Sequence, residues 1–249
     1  MVVKNNIAYV VSATHITQCT IAGDGSFSSC IIPSTPSGGW NLFNPVAIAV
    51  LNNILYVTNV SNSPSLSYVS QCILVAGSIT SCSTPPTPSG GWNLLNPRGI
   101  AIFNNILYIP NYDSSVVTQC NLDGSGSISS CAVTTPSGGW NLNNPRVIAI
   151  ANSIAYIASR GGGTITQCTI DGSGSITSCV VPSTPSGGWQ LSAALGIAIV
   201  NNIAYMSNFN TNVVTQCTIN GSGSITSCSI PATPSGGWNL SSPQSILFL

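Results

Sequence analysis

The chain has 249 residues, of which four are Lys or Arg, four are Asp or Glu and one is His, for a formal net charge of zero. That neutrality removes the electrostatic attraction on which nucleic-acid binding depends, so no nucleic-acid partner is expected. A hydrophobic fraction of 43% with only 3% charge excludes disorder, and the apolar runs fall far short of the roughly 18 residues a spanning helix needs, so no membrane span is expected.

In chain order, Ile7-Ala8-Tyr9-Val10-Val11 is the first strand-like run, and Val46 to Leu51 is another. The stretch after Asn96-Pro97 shows a full unit. Arg98 to Phe103 reads as a strand buried on both faces. Asn104-Asn105 supplies a tight turn, because Asn tolerates positive φ. Ile106 to Ile109 and Val116 to Leu122 are the second and third strands. Asp123-Gly124-Ser125-Gly126 is a hairpin turn, and Ile128 to Val133 is the fourth strand. The last run is Ser245-Ile246-Leu247-Phe248-Leu249, with the character of a first strand.

These elements repeat. Gly-Gly-Trp ends at Trp40, Trp92, Trp140, Trp189 and Trp238, at intervals of 52, 48, 49 and 49 residues. Gln-Cys recurs at Cys19, Cys72, Cys120, Cys168 and Cys217 with nearly the same period, and the extra residues of the first interval fall near Asn59 to Ser67. Four strands in about 48 residues is the size of a propeller blade. The fold predicted is all-β: a five-bladed β-propeller of four antiparallel strands per blade, one domain over 1–249. The chain begins with a second strand and ends with a first, so the C-terminal strand is expected to join the N-terminal blade and close the ring.

The ten cysteines fall into the pairs Cys19/Cys30, Cys72/Cys82, Cys120/Cys131, Cys168/Cys179 and Cys217/Cys228. Counting inward around each hairpin turn sets the two members opposite each other, close enough to bridge. Zinc would need about four ligands together, and a unit offers two. Five disulfides imply an oxidising compartment and a secreted protein. The first six residues do not resemble a signal peptide, so the leader would have been removed or the chain is a fragment. An intracellular protein of a hyperthermophile is the remaining reading.

Tyr56-Val57-Thr58-Asn59 spells the signature of YVTN-type propeller repeats, and Asn96-Pro97-Arg98-Gly99-Ile100-Ala101-Ile102 with Leu107-Tyr108-Ile109 resembles the NHL-type pattern. Both imply blades and neither implies a function. Five units, each with Gly-Gly-Trp before its first strand, are also similar to the tachylectin-2 type of lectin. That resemblance implies one amino-sugar site per repeat, although the family's second tryptophan motif is absent here.

In such a blade the loops after strand four share a face with those between strands two and three. The first group carries Trp40, Trp92, Trp140, Trp189 and Trp238 with Asn41, Asn93 and Asn141. The second carries His15, Tyr112, Asp113, Arg160 and Phe209, and Arg98 and Arg146 follow Asn-Pro near the same rim. These are the candidate ligand-binding residues. The tryptophans serve equally as wedges between blades. Asp24, Asp123 and Asp171 sit in hairpin turns for backbone reasons. No cofactor or metal is expected.

The leading functional reading is a secreted, non-catalytic recognition protein that binds glycans or another surface ligand through several sites. The alternative is a structural subunit of an extracellular filament or surface assembly, partnered by copies of itself. A lactonase-like hydrolase is set aside because few side chains titrate, and the chain is not expected to be an enzyme.

Overall fold

The computed structural model describes residues 1–246 except Asn62, Pro64, Ser65, Gly236 and Trp238. Among the described residues there is no α-helix, and so none long and apolar enough to cross a membrane. The chain forms five four-stranded antiparallel sheets, each in sequence order, and the fold is a five-bladed β-propeller. Blade one is β1 (Val2–Lys4), β2 (Ile7–Val11), β3 (Ile16–Ile21) and β4 (Phe27–Ile31). Blade two is β5 (Pro45–Leu51), β6 (Ile54–Asn59), β7 (Tyr68–Val75) and β8 (Ser78–Ser83). Blade three is β9 (Ala101–Phe103), β10 (Ile106–Asn111), β11 (Val116–Leu122) and β12 (Ile128–Ala132). Blade four is β13 (Pro145–Ala151), β14 (Ile154–Ser159), β15 (Thr164–Ile170) and β16 (Ile176–Val180). Blade five is β17 (Ala194–Val200), β18 (Ile203–Asn208), β19 (Val213–Ile219) and β20 (Ile225–Ser229).

The turns follow from residues that tolerate positive φ. Asn104 and Asn105 sit at +48° and +57°, as a two-residue hairpin connecting right-twisted strands requires, and Asn201 and Asn202 repeat the geometry at +49° and +59°. In the outer hairpins a register shift follows the cysteine, yet Cys120 pairs directly with Cys131, and the other four pairs match it. All five disulfides form as the spacing predicts.

The chain gathers into two compact units. The first holds Met1–Ile109 and Val117–Val133. Its cores lie between consecutive sheets: one joins Tyr9 and Ile16 to Leu55, Val57 and Cys72, and the next joins Tyr56 and Val69 to Leu107, Ile109 and Cys120. The second holds Pro110–Val116 and the chain from Thr134. Its core joins Tyr156 and Ile165 to Met206, Cys217 and Cys228. Removing such aliphatic and aromatic surface from water is the main favourable term in folding.

A tyrosine on strand two is the polar part of each join. Tyr9, Tyr56 and Tyr156 are fully buried. Their hydroxyls donate to the carbonyls of Gly77, Gly126 and Gly223 in the next blade's hairpin turn, at 2.7, 2.6 and 2.7 Å. Gln18, Gln71 and Gln167 donate to the same three carbonyls. Each buried polar group is thereby satisfied, as burial demands.

The structure differs from the predicted closure. The innermost strand of blade one is Val2–Lys4, from the N-terminal end of the chain. Val2, Val3 and Lys4 pair with Tyr9, Ala8 and Ile7 in the register in which Ala149, Ile150 and Ala151 pair with Tyr156, Ala155 and Ile154. A three-residue strand ending in Lys carries too little apolar pattern to be read from sequence. Of the predicted closing strand, Ser245 and Ile246 are not in a strand, and 247–249 lie outside the described residues.

Candidate functional site

Two repeat positions build the loop face. One follows the proline that opens strand one, and the other follows the last residue of strand two. Pro145 pairs with Ser159 and Ala194 with Asn208, so Arg146 is equivalent to Leu195, and Arg160 to Phe209. Val46 and Val60 hold these positions in blade two, where Pro45 pairs with Asn59.

The backbone under these side chains is fixed in the same way each time. The N–H groups of Val60, Arg160 and Phe209 donate to the carbonyls of Asn44, Asn144 and Ala193, at 3.2, 3.0 and 3.3 Å. The accepting residues all have positive φ. Asn59 and Asn208, fully buried at the end of strand two, accept from the N–H groups of Phe43 and Ser192 at 2.9 Å. Their amides donate to Ser70 and Thr215 on strand three. Those hydroxyls in turn donate to the carbonyls of Asn41 and Gln190. The last residue of the Tyr-Val-Thr-Asn run is thus the buried anchor of the loop face. A rigid frame carries variable side chains.

In the second unit these positions converge. Arg146, Arg160, Ala193, Leu195, Phe209 and Gln244 line an open pocket of about 210 Å³. Three were candidates from sequence. Gln244 was not, although Pro243-Gln244 repeats the pattern of Pro145-Arg146, and aligning the units position by position would have found it. Asp171, the carboxylate nearest in sequence, lies in the β15–β16 hairpin, at the end of the sheet opposite Arg160. Two guanidinium groups beside an aromatic ring suit a ligand that pairs an anionic group with an apolar face.

The other candidates lie elsewhere. Trp40, Trp92 and Trp189 are half-buried and pack against the cores between blades. Trp140 is half-buried with its Nε1 buried and unpaired, and Trp238 lies outside the described residues. Asn41 donates its amide to the carbonyls of Gly38 and Cys82, both at 2.8 Å, and Asn93 and Asn141 do the same with Gly90 and Cys131 and with Gly138 and Cys179. His15 is half-exposed, its ring centroid 6.4 Å from that of Trp40. The carbonyl of Tyr112 accepts from Asn144 at 2.9 Å, Asp113 is exposed and Arg98 is half-buried. His15, Arg98, Tyr112 and Asp113 do not line the pocket. No group of three or more His, Cys, Asp or Glu among the described residues could hold a metal ion.

No protein-family model and no curated protein sequence matches the chain, so the YVTN, NHL and tachylectin-2 resemblances stay at the level of motifs. Solved structures do match. A candidate 6-phosphogluconolactonase from Bacteroides uniformis ATCC 8492 has a TM-score of 0.61 at 11% identity, covering 91% of this chain and 66% of that one. The periplasmic gluconolactonase PpgL of Pseudomonas aeruginosa has a TM-score of 0.55 at 12% identity, covering 90% of this chain and 65% of that one. A chain of a nidogen/laminin complex has a TM-score of 0.55 at 12% identity, with 90% and 92% covered. The chain spans just under two thirds of the length of both lactonase-named proteins. At such identities the likeness shows the propeller fold. The expectation that the chain is not an enzyme falls here: it rested on the shortage of titratable side chains, and the fold is one that proteins named as lactonases share.

Proposed function

We propose that the protein is a secreted recognition propeller whose loop face binds an acidic ligand, most simply the acidic sugar of a glycan. The convergence of Arg146, Arg160 and Phe209 on one pocket supports this reading. The guanidinium groups take the carboxylate or sulfate, and the Phe209 ring takes an apolar face of the sugar. Binding in each blade differs, because the two positions that form the pocket change from blade to blade. The five disulfides, which persist in oxidising compartments, support the secreted part of this reading.

Titration calorimetry with acidic and neutral oligosaccharides tests the reading. Acidic members bind, and Arg160→Ala weakens them by about tenfold or more, the size expected for losing a hydrogen bond to a charged group. Equal binding of neutral and acidic sugars, or indifference to Arg160→Ala, overturns it.

A further inference from the structure

One position of the outer hairpin holds an acid twice and its amide once. Blade three turns on Asp123-Gly124-Ser125-Gly126-Ser127, blade four on Asp171-Gly172-Ser173-Gly174-Ser175 and blade five on Asn220-Gly221-Ser222-Gly223-Ser224. The backbone is the same in all three. The first residue donates its N–H to the carbonyl of the fifth and accepts from the N–H of the fourth, at 2.9–3.0 Å. The fourth residue is a glycine with a φ of +84°, +86° and +83° in turn.

The side-chain contacts match as well. Asn220 Oδ1 accepts from the Ser222 N–H at 3.0 Å, the Ser222 hydroxyl at 2.7 Å and the Ser224 N–H at 2.9 Å. The Oδ1 of Asp171 accepts from the same three groups of Ser173 and Ser175 at 2.9, 2.6 and 2.9 Å. The turn is thus shaped equally for the amide and for the acid.

Asn220-Gly221 is the only Asn-Gly pair in the sequence. Both residues are exposed, and Gly221 has no side chain to screen its backbone nitrogen. Among the described residues nothing bonds to the Gly221 N–H or to Asn220 Nδ2. A nucleophile and a leaving group are therefore unencumbered, while three donors polarise the carbonyl between them. Donors aimed at an oxygen that gains negative charge stabilise a tetrahedral intermediate. The attack is also intramolecular, so its orientation is largely prepaid.

We infer that Asn220 is a site of self-modification, which the turn converts to aspartate. The Gly221 nitrogen gives its proton to water and bonds to Asn220 Cγ. Nδ2 takes up a proton and leaves as ammonia, so a cyclic imide remains. Water then adds to Cγ, the Cγ–N bond breaks and the nitrogen regains its proton. In sum, one water is consumed and one ammonia is released. Water adding instead at the main-chain carbonyl would leave isoaspartate, which lengthens the backbone inside a turn closed by hydrogen bonds. The three donors act on the oxygen of Cγ, so the fold directs water there. Serine side-chain and backbone bonds hold Asp123 and Asp171 below the usual carboxylate range, and an ionised carboxylate is a poor target for a second attack. The change is one-way, and it adds one negative charge to a chain of zero formal net charge.

Ageing the full chain at mildly alkaline pH in oxygen-labelled water tests this, read by anion exchange and by peptide mapping with an acid protease. A more acidic form appears that co-elutes with Asn220→Asp, and its peptide carries one heavy oxygen in an ordinary aspartyl linkage at position 220. The same chain reduced and unfolded in urea gives mostly isoaspartate. Gly221→Ala places its Cβ in open space, without left-handed strain, so the turn is kept. A Cβ beside the nitrogen hinders its approach to Cγ, and conversion slows by about tenfold or more. Asn220→Asp melts no lower than the wild type. The absence of an acidic form, isoaspartate as the main product of the folded chain, or an unaltered rate in Gly221→Ala overturns the inference.

Discussion

The Tyr56 hydroxyl donates to the carbonyl of Gly126, 70 residues along the chain, at 2.6 Å, and Gln71 donates to the same oxygen at 2.8 Å. Burial holds the Tyr56 phenol neutral and pushes its pKa up to about 12. Because the folded value lies above the unfolded one, this contribution to stability is complete below about pH 10 and is lost as pH rises through the folded value. Absorbance titration shows Tyr56 ionising near pH 12, and that step is missing from the titration of Tyr56→Phe. The variant loses about 1 kcal/mol in urea unfolding, and no loss at all would mean that the bond between blades contributes nothing.

The Pro-Ser-Gly-Gly turns that clip onto the outer strand of the following blade, as Ser186 does on Ser227, depend on glycine. Gly187 has a φ of +83°, and a Cβ there would land on the Cys228 carbonyl oxygen, whereas at Gly188 only the Gln190 side chain comes within 4 Å, at 3.7 Å. Both Ala substitutions carry the backbone cost of left-handed geometry, about 1–2 kcal/mol. Gly187→Ala also forces the clip off β20. It lowers Tm by clearly more than Gly188→Ala, and equal shifts would show that the clip does not hold the edge.

The disulfides are not equally accessible. Cys30 is exposed, while Cys82, Cys131, Cys179 and Cys228 are almost wholly buried. Under mild reduction of the native protein at low concentration, the Cys19–Cys30 bridge opens first, as read by alkylation and mass spectrometry. Replacing both Cys120 and Cys131 by Ala costs about 2–3 kcal/mol, the size expected for releasing a short loop. Simultaneous reduction of all five bridges would contradict the differences in burial.

The hairpin aspartates predict a response to acid. Asp123 and Asp171 each accept from two backbone N–H groups and a serine hydroxyl, at 2.6–2.9 Å. Serine side-chain and backbone bonds hold Asp24, Asp123 and Asp171 below the usual carboxylate range. Depressed folded values mean that the stabilisation is present above the unfolded pKa and is lost as pH falls through the folded values. Asn220 makes the same contacts in blade five. Asp123→Asn, which keeps the acceptor oxygen but not the charge, therefore lowers Tm at neutral pH less than Asp123→Ala does, and replacing all three by Asn flattens the fall in Tm below about pH 4. A fall in Tm as steep as the wild type's would exclude these turns as its source.

What the chain determines by itself is local. The repeat period is legible because the same short motifs recur every 48 to 53 residues, and the Asn-Asn and Asp-Gly turns and the opposition of Cys120 and Cys131 because each follows from residues within a dozen positions and from the two-residue alternation of a strand. Which edges are covered is not local. The clip of Ser37 on Ser81, the Tyr56–Gly126 bond and the Ser70–Asn41 bond of the Asn59 relay join residues 29 to 70 positions apart, and pattern alone does not place them. Sequence marks Arg146, Arg160 and Phe209 as rare side chains on loops. Only the packing of blade five beside blade four brings them to one pocket and adds Gln244, because a side chain's neighbours across blades are set by how sheets stack. Val2–Lys4 is the plainest case: too short to carry a period of its own, it becomes a strand because Tyr9, Ala8 and Ile7 offer an edge to pair with.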